Sequence, residues 1–147
     1  MRKGDSLAIP RIIGLDIGDR RIGVALSDEQ EIMAGPLTIL ERSDEEADYK
    51  AIAELARHHN VHRIVVGLPR SLDGSLGPQA RKVQAFYQKL ASLVDIPVVT
   101  WDERLSTVET DRILRETKVK HKKRKQRRDA IAASIILQTY LDSQRRR

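Results

Sequence analysis

Cysteine is absent from the 147 residues, and aromatic residues are scarce, with one Trp, one Phe and three Tyr. The first absence excludes disulfides and thiolate metal sites and fits a reducing cytoplasm. The second leaves Ile, Val, Leu and Ala to build the interior, which favours helices layered on a sheet over an aromatic-rich β-sandwich. No apolar run approaches the length of a membrane span, and Met1–Pro10 has basic residues without the apolar middle of a secretion signal. Nor is there a Pro/Gly/Ser-rich stretch in mid-chain to act as a linker. The expectation is therefore a single domain over 1–147, soluble and cytoplasmic.

What the chain has in excess is positive charge, +6 net with a pI near 9.8. Eight of its 27 Lys and Arg lie between Lys118 and Arg128, and Arg145, Arg146 and Arg147 add three more. Charge concentrated in this way is an electrostatic footprint for a polyanion. The basic run lacks the interleaved large apolar residues of a membrane-lying helix, so nucleic acid is the expected partner and membrane is not. The run, about 118–128, is predicted to be a flexible segment, and 143–147 to be disordered.

The order of elements follows from periodicity and punctuation. Arg11–Ile17 and Arg21–Ser27 are β-branched and apolar, and Gly18-Asp19-Arg20 between them suits a hairpin turn; a third strand is predicted within Ile32–Leu40. Ser43 and Glu46 have the spacing of a capping box opening a helix that ends near His59-Asn60. Ile64–Leu68 reads as a buried parallel strand. Pro78 starts a helix, Val98–Trp101 is a fifth strand, and Ser106–Glu109 is a second capping box for a helix to about Thr117. A last helix is predicted from about Arg127 to Leu141. The fold class is α/β, a five-stranded mixed sheet with three antiparallel and two parallel strands, flanked by helices.

Three acids stand where such a fold can bring them together. Asp16 ends an apolar strand and is followed by Gly18 and Gly23, Glu103 closes Trp101-Asp102-Glu103, and Asp129 opens the last helix directly after the basic run. Carboxylates are hard ligands suited to Mg²⁺ or Mn²⁺, which can clamp the attacking and leaving oxygens of a phosphoryl displacement. Trp101 and Glu103 share a face if the strand continues, which favours Glu103 over Asp102 for the site. Taken singly, Asp16 is equally an acid stabilising a turn, and Asp129 an acid favoured by a helix macrodipole. The coincidence of the three acids with the basic run points to a metal-dependent nuclease.

Candidate phosphate contacts follow from the same picture. Arg20 and Arg21 flank the first turn; Arg70, Ser71 and Arg81 border a loop that leads into a helix N-terminus. Arg104 adjoins Glu103, and Lys122, Lys123, Arg124, Lys125, Arg127 and Arg128 form the run before Asp129. The four histidines make no convincing metal set, and neither a Ser-His-Asp arrangement nor a Gly-Lys-Ser/Thr phosphate loop is present.

The motifs Gly14-Leu-Asp-Ile-Gly-Asp-Arg-Arg-Ile-Gly-Val-Ala-Leu-Ser-Asp28, Val65-Val-Gly-Leu-Pro69 with Asp73-Gly74, Asp102-Glu-Arg-Leu-Ser-Thr107 and Asp129-Ala-Ile-Ala-Ala133 span nearly the whole chain. In this order they resemble the YqgF, or RuvX, family of Holliday junction resolvase-like proteins and nucleases. The resemblance implies an RNase H-like sheet, with Asp16, Glu103 and Asp129 as the acidic set for a divalent metal that promotes hydrolysis of a phosphodiester. It further implies one of two roles: maturation of the 5′ end of small-subunit ribosomal RNA precursor, or resolution of recombination junctions. Many RNase H-fold nucleases carry an acid at the end of the fourth strand. Here Val66-Gly-Leu-Pro-Arg70 has none, and the nearest is Asp73, so a second metal is expected to be held weakly or only with substrate.

Two other classes compete. A non-catalytic RNA-binding factor would share the basic run but not the metal dependence, and an actin-like ATPase needs a second domain for its nucleotide cleft. The substrate is thus expected to be structured RNA or branched DNA, and junction cleavage would call for a homodimer.

Overall fold

Apolar residues that alternate along a strand can face two layers at once, and here both layers are present. The computed structural model describes residues 11–70, 73, 75–102 and 121–145, of which 121–128 are described by backbone alone. One five-stranded sheet has the order β3-β2-β1-β4-β5, formed by β1 (Arg11–Ile17), β2 (Arg21–Ser27), β3 (Ala34–Glu41), β4 (Val61–Leu68) and β5 (Val98–Asp102). β1, β2 and β3 pair antiparallel, while β4 and β5 run parallel to β1. The expected α/β architecture is therefore present.

Helices α1 (Glu45–His58) and α2 (Pro78–Leu93) cover one face, where Ile13, Leu15, Ile22, Val24, Ile64 and Val66 pack with Tyr49, Ile52, Val83, Phe86 and Leu90. The opposite face carries α3 (His121–Arg145), whose Ala133, Ile136, Leu137, Tyr140 and Leu141 bury against Ile12, Ala25 and Val65. β1 and β4 are thus apolar on both faces. The side chains that β1 and β2 turn toward α3 are mostly small, with Gly14, Gly23, Ala25 and Ser27 in the alternating positions. Ser27 is buried and its Oγ accepts the Ile12 N–H at 2.8 Å, which satisfies both groups.

Several boundaries differ from the sequence reading, each for a local reason. The N-cap of α1 is Asp44, whose carboxylate accepts the Ala47 N–H at 2.9 Å, rather than Ser43. The Ser43 N–H is instead given to Asp48 at 3.1 Å. Buried Asp48 also receives Arg42 Nε at 3.1 Å, and the same guanidinium donates to the Gly18 carbonyl at 3.0 Å, tying the β1–β2 turn to the start of α1. β4 begins at Val61, because Asn60 adopts a left-handed φ of 55° that ends the helical region and sends the chain directly into the strand.

The last helix is longer than expected at both ends. It begins at His121, six residues before the expected start at Arg127, and continues to Arg145, four beyond Leu141. Lys, Arg and Gln are good helix formers, and packing of the apolar face beyond Asp129 supplies the nucleus from which the helix extends. The helix expected from Ser106 to Thr117 lies outside the described residues. Among the described residues no helix is long and apolar enough to cross a membrane.

Candidate functional site

Asp16 lies opposite Gly23 in the β1–β2 ladder. Residues directly opposite in an antiparallel pair share a face. A Cβ placed on Gly23 would meet the Asp129 carbonyl oxygen at 2.0 Å, so this face is the one that α3 covers, and the helix backbone lies close against the strand at the residue paired with Asp16. Gly14, two residues before Asp16 and on the same face, would bring a Cβ to 2.8 Å from Leu137 Cβ. The two glycines let the helix lie almost on the strand backbones. That approach places the Asp129 backbone over the carboxyl end of β1, at the residue paired with Asp16.

Asp129 does not open the helix. It follows His121 by eight residues, about two turns. The macrodipole acts within the first turn and cannot account for an acid here. The acid has a different partner: Arg21 Nε donates to Asp129 Oδ2 at 2.9 Å, with the two side chains 20% and 30% exposed. Arg21 projects from β2 onto the same face, two residues from Gly23, and so belongs to the acidic cluster. No local sequence signal links residues 108 positions apart, which is why the pairing was missed.

The remaining candidates divide between the site, its rim and the undescribed chain. Glu103, Arg104 and Ser71 lie outside the described residues. Val99 belongs to the layer beneath α3, and Trp101, which donates Nε1–H to Thr139 Oγ1 at 2.8 Å and meets Tyr140 edge to face, is on the same side. Asp102 pairs with Leu68, which faces α1 and α2, and therefore points away from Asp16. Asp73 is exposed and accepts the Ser75 N–H at 2.9 Å, a turn contact. Among the described residues no group of three acids or histidines is assembled.

Cations ring the carboxyl end of the parallel strands. Arg20 is exposed in the turn after β1, Arg70 is exposed two residues beyond β4, and Arg81 is exposed in the first turn of α2. Lys82, a residue that the sequence reading passed over, reaches Asp19 at 3.7 Å and shows that α2 starts beside the β1–β2 turn. Gly77 caps α2 without a side-chain hydrogen bond, and the helix N-terminus lies on this rim. The helix backbone of 121–128 precedes Asp129 at this same end. Three of the four histidines, His58, His59 and His62, are elsewhere, and the side chain of His121 lies outside the described residues: His62 pairs with Glu31 at 3.2 Å, and burial, reinforced by His58 and Arg11, holds His59 below the usual imidazole value. They flank the start of β4, at the other end of the sheet.

A family model described as RuvX, Holliday junction resolvase, matches residues 10–143. The chain belongs to the RuvX family. A relative from Desulforudis audaxviator, named as a candidate pre-16S rRNA nuclease, is 46% identical over 135 residues, covering 92% of this chain and 96% of its own. A relative of the same name from Halothermothrix orenii is 50% identical over 134 residues, covering 91% and 96%. Among solved structures, Thermus thermophilus RuvC in complex with a Holliday junction substrate superposes with a TM-score of 0.56 at 13% identity, covering 92% of this chain and 96% of that one. This likeness, with the strand order and directions above, makes the fold RNase H-like.

The RuvX fold thus brings two of the three expected acids onto one glycine-floored face. Their fit to a hard divalent cation rests on their chemistry: both are carboxylates, both are partly exposed, and Gly23 opposite Asp16 admits the α3 backbone that carries Asp129.

Proposed function

We propose that this chain is a divalent-metal-dependent nuclease that hydrolyses phosphodiester bonds of structured nucleic acid, with the 5′ end of precursor small-subunit ribosomal RNA as its substrate. The observation that carries the reading is the placement of Asp129 beside Asp16 at the carboxyl end of β1, within a rim of Arg20, Arg70, Arg81 and Lys82. The choice of RNA follows the names of the relatives. Asp16 and Asp129, with Glu103 from beyond β5, would hold Mg²⁺ or Mn²⁺. Such a cation supplies Lewis-acid charge that offsets the charge developing on the phosphate.

The chain's own groups have separate tasks. Asp16 and Asp129 present anionic oxygens from two rigid elements, a strand and a helix seated on it, which fixes their separation. Arg20, Arg70, Arg81 and the basic run from Lys122 to Arg128 position the phosphate backbone and carry no base specificity. The N-terminus of α2 offers backbone N–H groups suited to a further phosphate.

The test uses end-labelled precursor ribosomal RNA and a four-way DNA junction, each incubated with the protein and with Asp16→Asn, in Mn²⁺ or EDTA. Metal-dependent shortening of the RNA, lost in the variant, is expected. Cleavage of the junction alone would reassign the substrate to branched DNA, the role in the family's description. Full cleavage by Asp16→Asn, or binding of both substrates without cleavage by protein in excess, would overturn the nuclease and leave a nucleic-acid-binding factor.

A further inference from the structure

Arg21 is the one described cation inside the acidic cluster rather than on its rim. Its Nε lies 2.9 Å from Asp129 Oδ2, and its side chain is 20% exposed, against the open surface positions of Arg20, Arg81 and Lys82. The pair is held from both sides. Arg21 is in the first position of β2, where its backbone carbonyl accepts the Gly18 N–H at 2.9 Å, and Asp129 is pinned by the contact of its own carbonyl with the Gly23 backbone. A guanidinium so placed is not free to sweep the surface. It neutralises one of the carboxylates that a cation would use.

We propose that Arg21 is a built-in counter-ion of the acidic site that competes with the divalent cation for Asp129. The proposal rests on the reading of Asp16 and Asp129 as metal ligands. Electrostatics shows why competition follows: the guanidinium sits on the Asp129 oxygen that a divalent ion would use and offsets its negative charge. The salt bridge also supplies Asp129 with a partner in the metal-free protein, which lets the helix seat on Gly23 before any cation arrives. When the cation takes Asp129, the displaced guanidinium remains on the acidic face, within the phosphate's approach. Arg21 is then a positioning residue for the acid and, in the loaded protein, a phosphate contact.

The competition is measured by Mn²⁺ binding to the full chain without nucleic acid, by calorimetry or by the electron paramagnetic resonance signal of free Mn²⁺. Arg21→Gln is expected to bind Mn²⁺ about ten-fold more tightly, the order for removing a unit charge at hydrogen-bond distance from one ligand of a partly solvated site. Arg21→Lys should stay near wild type, and in an Asp129→Asn background the Arg21→Gln change should have little effect. Arg21→Met, which keeps an apolar stem without charge, carries the same expectation should Arg21→Gln fail to fold. Equal or weaker Mn²⁺ binding by the folded, uncharged variant overturns the competition while the metal site stands. Absence of Mn²⁺ binding by every protein in the series overturns the metal-site reading and the competition together.

Discussion

Gly23 and Gly35 are both glycines in strands, yet only one of them faces a crowded neighbour. A Cβ on Gly23 would lie 2.0 Å from the Asp129 carbonyl oxygen, whereas one on Gly35 would meet nothing within 4 Å. Because the obstruction at Gly23 is helix backbone, no rotamer change relieves it and α3 must lift from the sheet. Gly23→Ala should therefore cost roughly 1–3 kcal/mol, the range for overpacking a tight interior. Thermal denaturation should show a loss of several degrees, and Mn²⁺ affinity should fall because Asp129 moves with the helix. Gly35→Ala should leave both quantities unchanged, and equal behaviour of the two variants would show that the close approach does not matter. The residue types of this site were legible in the sequence: Asp16 at a strand end, glycines after it, Asp129 beside small residues. The partner of Asp129 was not, since attraction between Arg21 and an acid 108 positions away depends on the strand register that brings them together.

Elements seat on one another through a few polar clips as well as apolar stripes, and α3 shows both. Gln138 accepts the Ala34 N–H at 2.9 Å and donates to the Ile32 carbonyl at 2.8 Å, fastening the helix to the start of β3. At β4, Arg63 Nη1 donates to the Tyr140 hydroxyl at 2.8 Å, and its buried Nε has no hydrogen-bond partner among the described residues. Tyr140→Phe would leave a second part-buried donor unmatched. The expected cost is about 1–3 kcal/mol, the penalty for an orphaned polar group, and Arg63→Met in the same background should recover part of it. Unchanged stability on Tyr140→Phe in urea denaturation would show that the hydroxyl contributes nothing. Strand and helix identities followed from alternation, Pro78 and the apolar stripe of α3, because those signals are local. The start of α3 and the cap of α1 were misjudged for opposite reasons. A charge run reads as a solvated segment although Lys and Arg are good helix formers, and the S-x-x-E spacing points to Ser43 although its N–H is given to Asp48, which Arg42 holds in place, and the cap falls to Asp44.

Among the described residues, cations gather at one end of the sheet, and the gathering follows from topology. Parallel strands β1 and β4 end on the same side, so the turn after β1 and the loop after β4 deliver Arg20 and Arg70 to one rim, and the return into α2 adds Arg81 and Lys82. The helix segment 121–128, with its six Lys and Arg, precedes Asp129 at that end. For a nucleic-acid substrate, cations gathered at this end would steer the polyanion toward the acids. If the segment contacts phosphates, replacing Lys122, Lys123, Arg124 and Lys125 together by Ala should remove about four counterion-releasing contacts. The log-log dependence of nucleic-acid affinity on salt should then become shallower by roughly 3, at about 0.7 to 0.9 per phosphate. Cleavage at saturating substrate should be nearly unaffected while KM rises, because these cations position the chain and do not touch the reacting atoms. An unchanged salt slope would confine the interface to Arg20, Arg70, Arg81 and Lys82 on the sheet rim, whereas a lost kcat at unchanged slope would mean that the segment's role is to hold Asp129 in place.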